Sequence, residues 1–217
     1  MSRSYKTGAA GGGQARGMDR TDHLRQSVDL AVATIRATPV ERYADPSPCA
    51  DFTVRLLVNH LAFGLLLAER SATREPWDKT WSFDDDAPFL RGLPVEQWAQ
   101  ACARQGERTA AAWADPAAWD GDSHMGGTPM PAAAIGSLMT AEFVLHAWDV
   151  AAATGRELQV PAGLAAAVLD GVAGIAPMGR DGGWFGPEVP VPAEAPVFER
   201  ALGLSGRNPS WRAPVSA

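Results

Sequence analysis

The chain has 217 residues, of which 46% are hydrophobic and 20% charged, so it can bury the core of one globular domain. Its formal net charge of -6 argues against a nucleic-acid-binding protein, because phosphate neutralisation requires clustered Lys and Arg. Its two cysteines, Cys49 and Cys102, form no CxxC motif, and no apolar run reaches the roughly 20 residues of a membrane span. We therefore expect a cytoplasmic protein that binds neither nucleic acid nor membrane.

The N-terminal segment differs in composition from the rest of the chain. Residues 1–17 are rich in glycine and carry basic side chains without an acidic one. They lack the apolar segment of a signal peptide. We interpret residues 1–17 as a flexible tail and residues 18–217 as one domain.

Two helices are predicted at the start of this domain. Residues 20–37 place apolar side chains at near-helical spacing, and Pro39 ends the pattern. The second helix begins near Asp51 or Thr53, which are both favourable N-caps, and runs to about Ala72. Because this helix is apolar on most sides, we expect it to lie at the centre of a bundle.

The middle of the chain is expected to hold one helix between two irregular segments. Residues 74–93 are interpreted as a long loop. Residues 94–114 are predicted to form the third helix, and Pro94 suits its first turn. Residues 115–130 are rich in Gly, Pro and Asp, which fits either a loop or a short extended pair.

Two further helices and a tail complete the pattern. The fourth helix runs from near Pro131 to about Thr154, where Gly155 supplies a C-terminal stop. A fifth helix is predicted at about 161–176. Residues 177–217 are expected to pack on the bundle as coil, with one short helical turn in "APVFERALGL". The fold class predicted is an all-α four-helix bundle with long crossover loops, an extra helix and a coil-rich C-terminal tail.

Polar side chains interrupt the apolar fourth helix in the stretch "AEFVLHAWDVAAATG". Glu142 and His146 are four residues apart and therefore share one face, as two metal ligands from a single helix do. His60 lies among leucines of the second helix, where an unpaired imidazole is costly. Two histidines and a carboxylate are a familiar ligand set for zinc or another divalent ion, and three protein ligands leave positions open for water or substrate.

Spacing alone leaves structural alternatives open for these residues. A buried histidine that is hydrogen-bonded to a neighbouring helix is common, and Glu142 with His146 also fits an ordinary surface pair. His124 lies in a Gly-rich loop as a fourth ligand, a substrate contact or a solvated side chain. The candidate substrate contacts are Asn59, His124 and Thr128.

Two further pairs of residues are given structural roles. Cys49 and Cys102 are interpreted as packing residues, although Cys49 lies just before the second helix and could feel its positive end. Arg55 and Asp149 both lie near core-facing stretches. We expect them to form an interhelical ion pair that sets the register of the second and fourth helices.

Three stretches of the chain carry a family resemblance. "PSPCADFTVRLLVNHLA" (46–62) resembles the pattern P-T-P-C-x-x-W-T-V-R-D-L-V-x-H-L, and "EFVLHAWDVAAATG" (142–155) resembles D/E-x-x-x-H-G-W-D-L-A-x-A-T-G. The ending "VPVPAEAPVFERALGLSGRNPSW" is similar to V-P-x-x-A-P-x-x-D-R-L-L-A-x-x-G-R-x-P. These patterns belong to the mycothiol-dependent maleylpyruvate isomerase-like proteins of the DinB superfamily of metal-binding helical bundles, the third of them to the short, single-domain branch.

The resemblance implies a ligand set and cofactors. In the family, the residues that correspond to His60, Glu142 and His146 bind one divalent metal. The metal implied is Zn²⁺, with Ni²⁺ or Fe²⁺ as alternatives, and the cosubstrate is mycothiol or a similar thiol. Leu56 stands where the family has Asp, which removes an acid that could support the metal ligands.

The function implied is that of a metal-dependent enzyme that activates a low-molecular-weight thiol. The reaction would be S-transfer to, or isomerisation of, a small electrophilic substrate. The residues after the fourth helix are too few for the additional domain of the isomerase itself, so that specific activity is not implied. The alternatives are a non-catalytic metal-binding or stress protein and a thiol-independent Lewis-acid enzyme of secondary metabolism. A homodimer is a further expectation.

Overall fold

The computed structural model describes residues 11–49 and 51–214, with side chains of the first helix described from Arg20 onward. Two short strands, β1 (Asp122–Met125) and β2 (Thr128–Pro131), pair as an antiparallel hairpin. The predicted all-α class is confirmed, because helices make up nearly all regular structure of the described residues. The helices are α1 (Gly11–Arg36), α2 (Val54–Thr73), α3 (Trp98–Ala114), α4 (Ala132–Ala153), α5 (Ala162–Asp181) and α6 (Val197–Leu204).

Helices α1 to α4 form the four-helix bundle. Each of α1 and α2 packs against both α3 and α4. Burial of a large apolar side chain contributes roughly 1.5–3 kcal/mol relative to exposure, so the core between these helices is the main stabilising feature. Its almost fully buried side chains include Leu61, Phe63, Trp113, Ile135 and Phe143.

Helix α2 begins and ends close to the predicted positions. The Thr53 side chain accepts a hydrogen bond from the Leu56 amide, which satisfies one of the free amides of the first turn. At the other end, Arg74 adopts a left-handed backbone with φ of 57°, which terminates the helix. The cap fixes where α2 begins and therefore the face on which His60 lies.

Helix α4 lies between two apolar layers. Phe143 and Val150 belong to the bundle core, whereas Val144 and Leu145 pack in a second cluster with residues of α5 and α6. This double burial explains why α4 is apolar on nearly all sides. A polar side chain on such a helix must find a partner inside the protein.

The region 115–130 forms a 3-10 turn at Pro116–Trp119 followed by the β-hairpin. The extended-pair alternative is therefore confirmed. The segment 74–93 lies outside helices and strands, as predicted, and a 3-10 turn at Val95–Gln97 precedes α3.

The predicted end of the fifth helix is wrong. Helix α5 continues past residue 176 to Asp181 and contains Pro177, so residues 177–181 are helical and not coil. Proline disfavours a helix interior, but Val168 and Val172 anchor α5 on its neighbours, and this packing outweighs the local preference. Helix α6 confirms the short helical turn within the tail.

The N-terminal boundary also differs from expectation. Helix α1 begins at Gly11 and not near residue 20, so residues 11–17 of the predicted tail are helical. Gln14, Ala15 and Arg16 have favourable helix propensity. Residues 1–10 lie outside the described part of the chain, and the division at residue 17 stays a prediction.

One of the described helices, α5, meets the length and composition of a membrane span, with a mean hydropathy of 1.5. About 33% of that stretch is buried inside the protein. Core helices of proteins without any span meet the same criteria, so this is weak evidence. The expectation that the protein does not enter a membrane stays a prediction.

Candidate metal centre

A glycine allows α2 and α4 to approach each other closely at the site. A Cβ atom on Gly64 would lie 3.2 Å from Phe143 Cε1 and 3.4 Å from Met139 Cε, so a larger residue would push the helices apart. Gly64 lies one turn after His60 on the same face of α2. The close approach therefore brings His60 next to α4.

The structure brings the three predicted ligands together. Glu142 Oε2 lies 3.2 Å from His146 Nε2 and 3.7 Å from His60 Nε2. One donor atom from each of the three side chains lies within 4.8 Å of the others. The side chains are partly exposed, at 31% for His60, 27% for Glu142 and 12% for His146. Two imidazole nitrogens and a carboxylate at this spacing fit a divalent cation of the zinc type.

The ionisation of the three side chains also suits a cation. Burial would raise the pKa of Glu142, but His146 and His60 outweigh burial and lower it, so the carboxylate is ionised. Burial opposes the charge on His146, but Asp149, Cys49 and Glu142 raise its pKa well above 6.5. Burial and the neighbouring His146 lower the pKa of His60. Without a metal, the cluster holds a proton on His146, which a metal ion would displace.

Asp149 fixes the orientation of His146. Its Oδ2 atom lies 2.9 Å from His146 Nδ1. Burial would raise the pKa of Asp149, but Arg207 and His146 lower it, so the carboxylate is ionised and only accepts hydrogen bonds. His146 must therefore donate from Nδ1, and its Nε2 atom is turned toward Glu142.

Arg207, in the coil after α6, compensates the charge of Asp149. Its Nε atom donates to Asp149 Oδ1 at 2.9 Å, and Nη2 donates to Oδ2 at 2.8 Å. The Asp149 side chain is fully buried and that of Arg207 is 8% exposed. Neither charge would be stable at this depth without the other. The C-terminal segment is therefore joined to α4 directly behind the predicted ligands.

The predicted ion pair between Arg55 and Asp149 is wrong. Arg55 donates from Nη2 to Asp86 Oδ1 at 2.7 Å, and its guanidinium lies 4.7 Å from the centre of the Trp98 ring. Arg55 faces the loop before α3, whereas Asp149 faces the C-terminal coil. The nearer guanidinium of Arg207 makes the buried pair instead.

The predicted ligands lie in the wall of a cavity of about 850 Å³, which is within the range of small-molecule sites. Helices α2 and α4 form two of its sides. The segment before α2, the hairpin turn and the C-terminal coil contribute to the remainder. Its apolar lining includes Phe52, Phe83, Met125, Phe143, Trp184 and Phe185.

The three candidate substrate contacts are absent from the described residues that line this cavity. Asn59 is buried, donates to the Asp85 carbonyl and accepts from the Ala87 amide, so it holds the loop before α3 in place. His124 and Thr128 lie on the exposed hairpin. The geometry therefore corrects this expectation, since none of the three faces the cavity.

A second group of possible ligands consists of Cys49, His146 and Asp149. Cys49 lines the cavity, and its Sγ atom lies 3.3 Å from Asp149 Oδ2 and 3.8 Å from Arg207 Nη2. Cys49 therefore packs against the buried ion pair. Cys102 is fully buried elsewhere in the core, where burial raises the pKa of its thiol to about 12, so its packing role fits.

Sequence reasoning missed Arg207 and the actual partner of Asp149. A signal was present, because the stretch "GRNPSW" within the C-terminal resemblance contains Arg207. The two residues are 58 positions apart, and no periodicity connects positions at that distance. Cys49 lies within the stretch 46–62 that carries the family resemblance. Its contact with Asp149 could not be predicted, because the two residues are brought together only by the fold.

The fold and the site define a helical-bundle protein with an open cluster of two histidines and a glutamate. Residues 15–151 match the family described as the mycothiol maleylpyruvate isomerase N-terminal domain. The match covers more than half of the chain, and the protein belongs to this family.

The chain is also similar to two uncharacterised proteins of Mycobacterium tuberculosis, one from strain CDC 1551 / Oshkosh and one from strain ATCC 25618 / H37Rv. Each is 25% identical over 193 residues, which cover 88% of this chain and 99% of the relative. No solved structure matches the chain significantly.

Proposed function

We propose that the protein binds one divalent metal ion, preferably Zn²⁺, and uses it to activate a low-molecular-weight thiol of the mycothiol type. The thiol would react with a small electrophilic substrate in S-transfer or isomerisation. His60, Glu142 and His146 would hold the metal. The observation that carries this proposal is that these three side chains converge in the wall of a cavity large enough for a substrate.

The family supports the thiol part of the proposal, because its description names mycothiol and an isomerase. A divalent cation at this site would supply a Lewis acid that favours the thiolate over the thiol at neutral pH. The thiol would lose its proton to solvent, and its sulfur would add to one carbon of a C=C bond conjugated to a carbonyl, whose π electrons would move onto the carbonyl oxygen. In S-transfer, the neighbouring carbon would then take up a proton from solvent and the sulfur would stay attached. In isomerisation, the resulting single bond would rotate, and the C=C bond would re-form as the thiolate leaves.

The chain's own residues would prepare the site for this reaction. Asp149 accepts the Nδ1 proton of His146, so the Nε2 lone pair is available on the side of Glu142. Arg207 keeps Asp149 ionised. Glu142 is proposed as a ligand and not as the general base, because its pKa is lowered and its carboxylate lies between the two imidazoles. The apolar cavity wall would exclude water from the reacting sulfur.

The experiment is a thiol titration of the cobalt-substituted protein, followed by its visible absorption spectrum. Addition of mycothiol should change the spectrum at about one equivalent, because the cavity gives a thiol access to the predicted ligands. A matched oxygen analogue that lacks the sulfhydryl group is the control and should leave the spectrum unchanged. An unchanged spectrum with mycothiol and with several other thiols would contradict the thiol function. It would favour a binding protein or a thiol-independent Lewis-acid enzyme.

A further inference from the structure

The cavity wall offers little free charge to a ligand. Most of its lining is aliphatic or aromatic. Outside the three predicted ligands, and apart from the indole N–H of Trp184, the polar side chains among its described lining residues are Cys49, Asp51, Ser205 and Arg207. What these four can still bind decides which class of molecule the cavity accepts.

The positive charge of Arg207 is already neutralised. Two of its nitrogens, Nε and Nη2, donate to Asp149. The third nitrogen, Nη1, donates to Ser205 Oγ at 3.2 Å. Ser205 itself donates to the Leu202 carbonyl at 2.9 Å. A carboxylate entering the cavity would therefore find neither an unpaired guanidinium nor a free hydroxyl in this part of the wall.

The remaining charged side chain of the wall, Asp51, is exposed and is an acid. It would repel an anionic substrate. Transfer of an unpaired carboxylate from water to an apolar site is costly, so an anionic group would be bound weakly wherever it lies away from the metal cluster.

Two large aromatic side chains of the wall are exposed without a ligand. Trp184 is 57% exposed and Phe83 is 48% exposed, although most large apolar side chains of the described chain are buried. Phe83 lies 6.0 Å from the His60 ring, measured between ring centres. These two residues offer apolar surface in the cavity that the predicted ligands also line, and an apolar ligand would cover it.

We infer that the cavity binds a neutral, largely apolar molecule with an aromatic or branched aliphatic body, and not a dicarboxylate such as maleylpyruvate. This inference rests on the proposed function in one respect, since it specifies the substrate of the same site. It depends on the charge of the wall and not on the identity of the metal. The apolar body would lie against Phe83 and Trp184.

The test is isothermal titration calorimetry of the full chain with three unreactive probes, of which two are matched in size. 1-Naphthylacetamide is neutral and 1-naphthylacetate is its anionic counterpart, while succinate represents a dicarboxylate. The metal-free protein should bind the amide more than about tenfold more tightly than the acetate, because the wall leaves a carboxylate unpaired. Equal or tighter binding of the acetate, measurable binding of succinate, or no binding of the amide would each overturn the inference.

A charge introduced into the wall provides a second test. Leu67 lines the cavity on α2 and is partly exposed, so Leu67→Lys should place a cation there without opening the core. The preference for the amide should fall by roughly fivefold or more, since a nearby opposite charge stabilises the carboxylate. Ala111→Lys, on the exposed face of α3, makes the same charge change and should leave the preference unaltered. If Leu67→Lys also left the preference for the amide over the acetate unaltered, the conclusion that the probes bind in this cavity would be contradicted.

The same samples separate this inference from the proposed function. Amide binding is expected with and without added zinc, so it does not require the metal site to exist. A protein that binds the amide but no zinc would refute the metal proposal and support the apolar cavity. A protein that binds zinc, but prefers the acetate before zinc is added, would support the metal proposal and refute the apolar cavity.

Discussion

Two groups of possible metal ligands share His146, and they differ in what already lies between them. The group of His60, Glu142 and His146 opens into the cavity. The group of Cys49, His146 and Asp149 contains the guanidinium of Arg207, whose Nη2 atom lies 2.8 Å from Asp149 and 3.5 Å from His146 Nδ1. The first group has room for a cation, whereas the second already holds one supplied by the chain.

This difference shows that the types of ligand do not by themselves define a metal site. Both groups combine an imidazole with an acid, and in both the possible ligand atoms lie within 4.8 Å of one another. What separates them is charge compensation. The buried acid that pairs with a buried arginine can orient His146, whereas the acid between two imidazoles at the cavity is the one proposed as a metal ligand.

The largest effect is expected from removing a ligand of the first group. His60→Ala should lose the bound metal, because two remaining ligands form an incomplete site. Cys49→Ala removes a member of the second group and is the matched control, which should keep a full equivalent of metal by elemental analysis. Metal loss in Cys49→Ala with retention in His60→Ala would reverse the assignment of the two groups.

The next largest effect is expected at Arg207. Arg207→Met leaves the buried Asp149 carboxylate without its cation, and the free energy of unfolding should fall by about 3–5 kcal/mol in a urea titration. Metal affinity should also fall, roughly 10- to 100-fold in competition with a chelator, because Asp149, which orients His146, is no longer held by Arg207. Arg207→Lys keeps the charge and should recover part of both losses. A metal affinity unchanged in Arg207→Met would contradict the orienting role.

The pH dependence of stability should report the same buried pair. The pKa of Asp149 is lowered in the folded protein, whereas an unfolded Asp titrates near about 4. Its contribution to stability is therefore complete above that value and is lost as the pH falls through the lower folded pKa. The stability advantage of the wild type over Asp149→Asn should be constant between about pH 5 and pH 6 and shrink below about pH 4. It should also shrink as the pH rises above about 6.5, because Asp149 raises the pKa of His146 in the folded protein and that contribution is lost when His146 deprotonates. An advantage that persists unchanged down to pH 2 would refute this assignment.

The sequence predicted the elements that depend on local signals. The Thr53 cap and the four-residue spacing of Glu142 and His146 each depend on neighbours along one helix, and the structure has both. The extension of α5 through Pro177 was not predictable in this way, because packing against α4 and α6 overrides the local preference of proline.

The site was predictable only in part for the same reason. His60 could be joined to α4 through the family resemblance, and the geometry then placed the three side chains together. Asp149 was assigned to the wrong arginine, because the choice between Arg55 and Arg207 depends on where the C-terminal coil folds. A contact between α4 and a coil segment produces no recognisable pattern in the sequence of the helix or of the coil.

The two cysteines should differ in reactivity. Cys49 is partly exposed in the cavity wall, whereas Cys102 is fully buried and burial raises the pKa of its thiol to about 12. A thiol reagent applied to the native protein should label one cysteine per chain, and peptide mass spectrometry should place the label on Cys49. Labelling of Cys102 at a similar rate before unfolding would contradict the buried position.

The smallest effect is expected at the arginine that was first assigned to Asp149. Arg55 and Asp86 are 40% and 32% exposed, so their ion pair is screened by solvent. Arg55→Ala should lower the free energy of unfolding by only about 0.5–1 kcal/mol and leave metal affinity unaltered. A loss in Arg55→Ala as large as that in Arg207→Met would remove the contrast between the two arginines.

The most direct test of the open site is anomalous diffraction at the zinc absorption edge from crystals grown with zinc. The structure leads us to expect one strong peak per chain, bounded by His60 Nε2, the Glu142 carboxylate and His146 Nε2. The guanidinium of Arg207 should remain on Asp149 in the same crystals. A peak between Cys49 and Asp149, with Arg207 displaced, or no peak beside His60 would contradict the assignment.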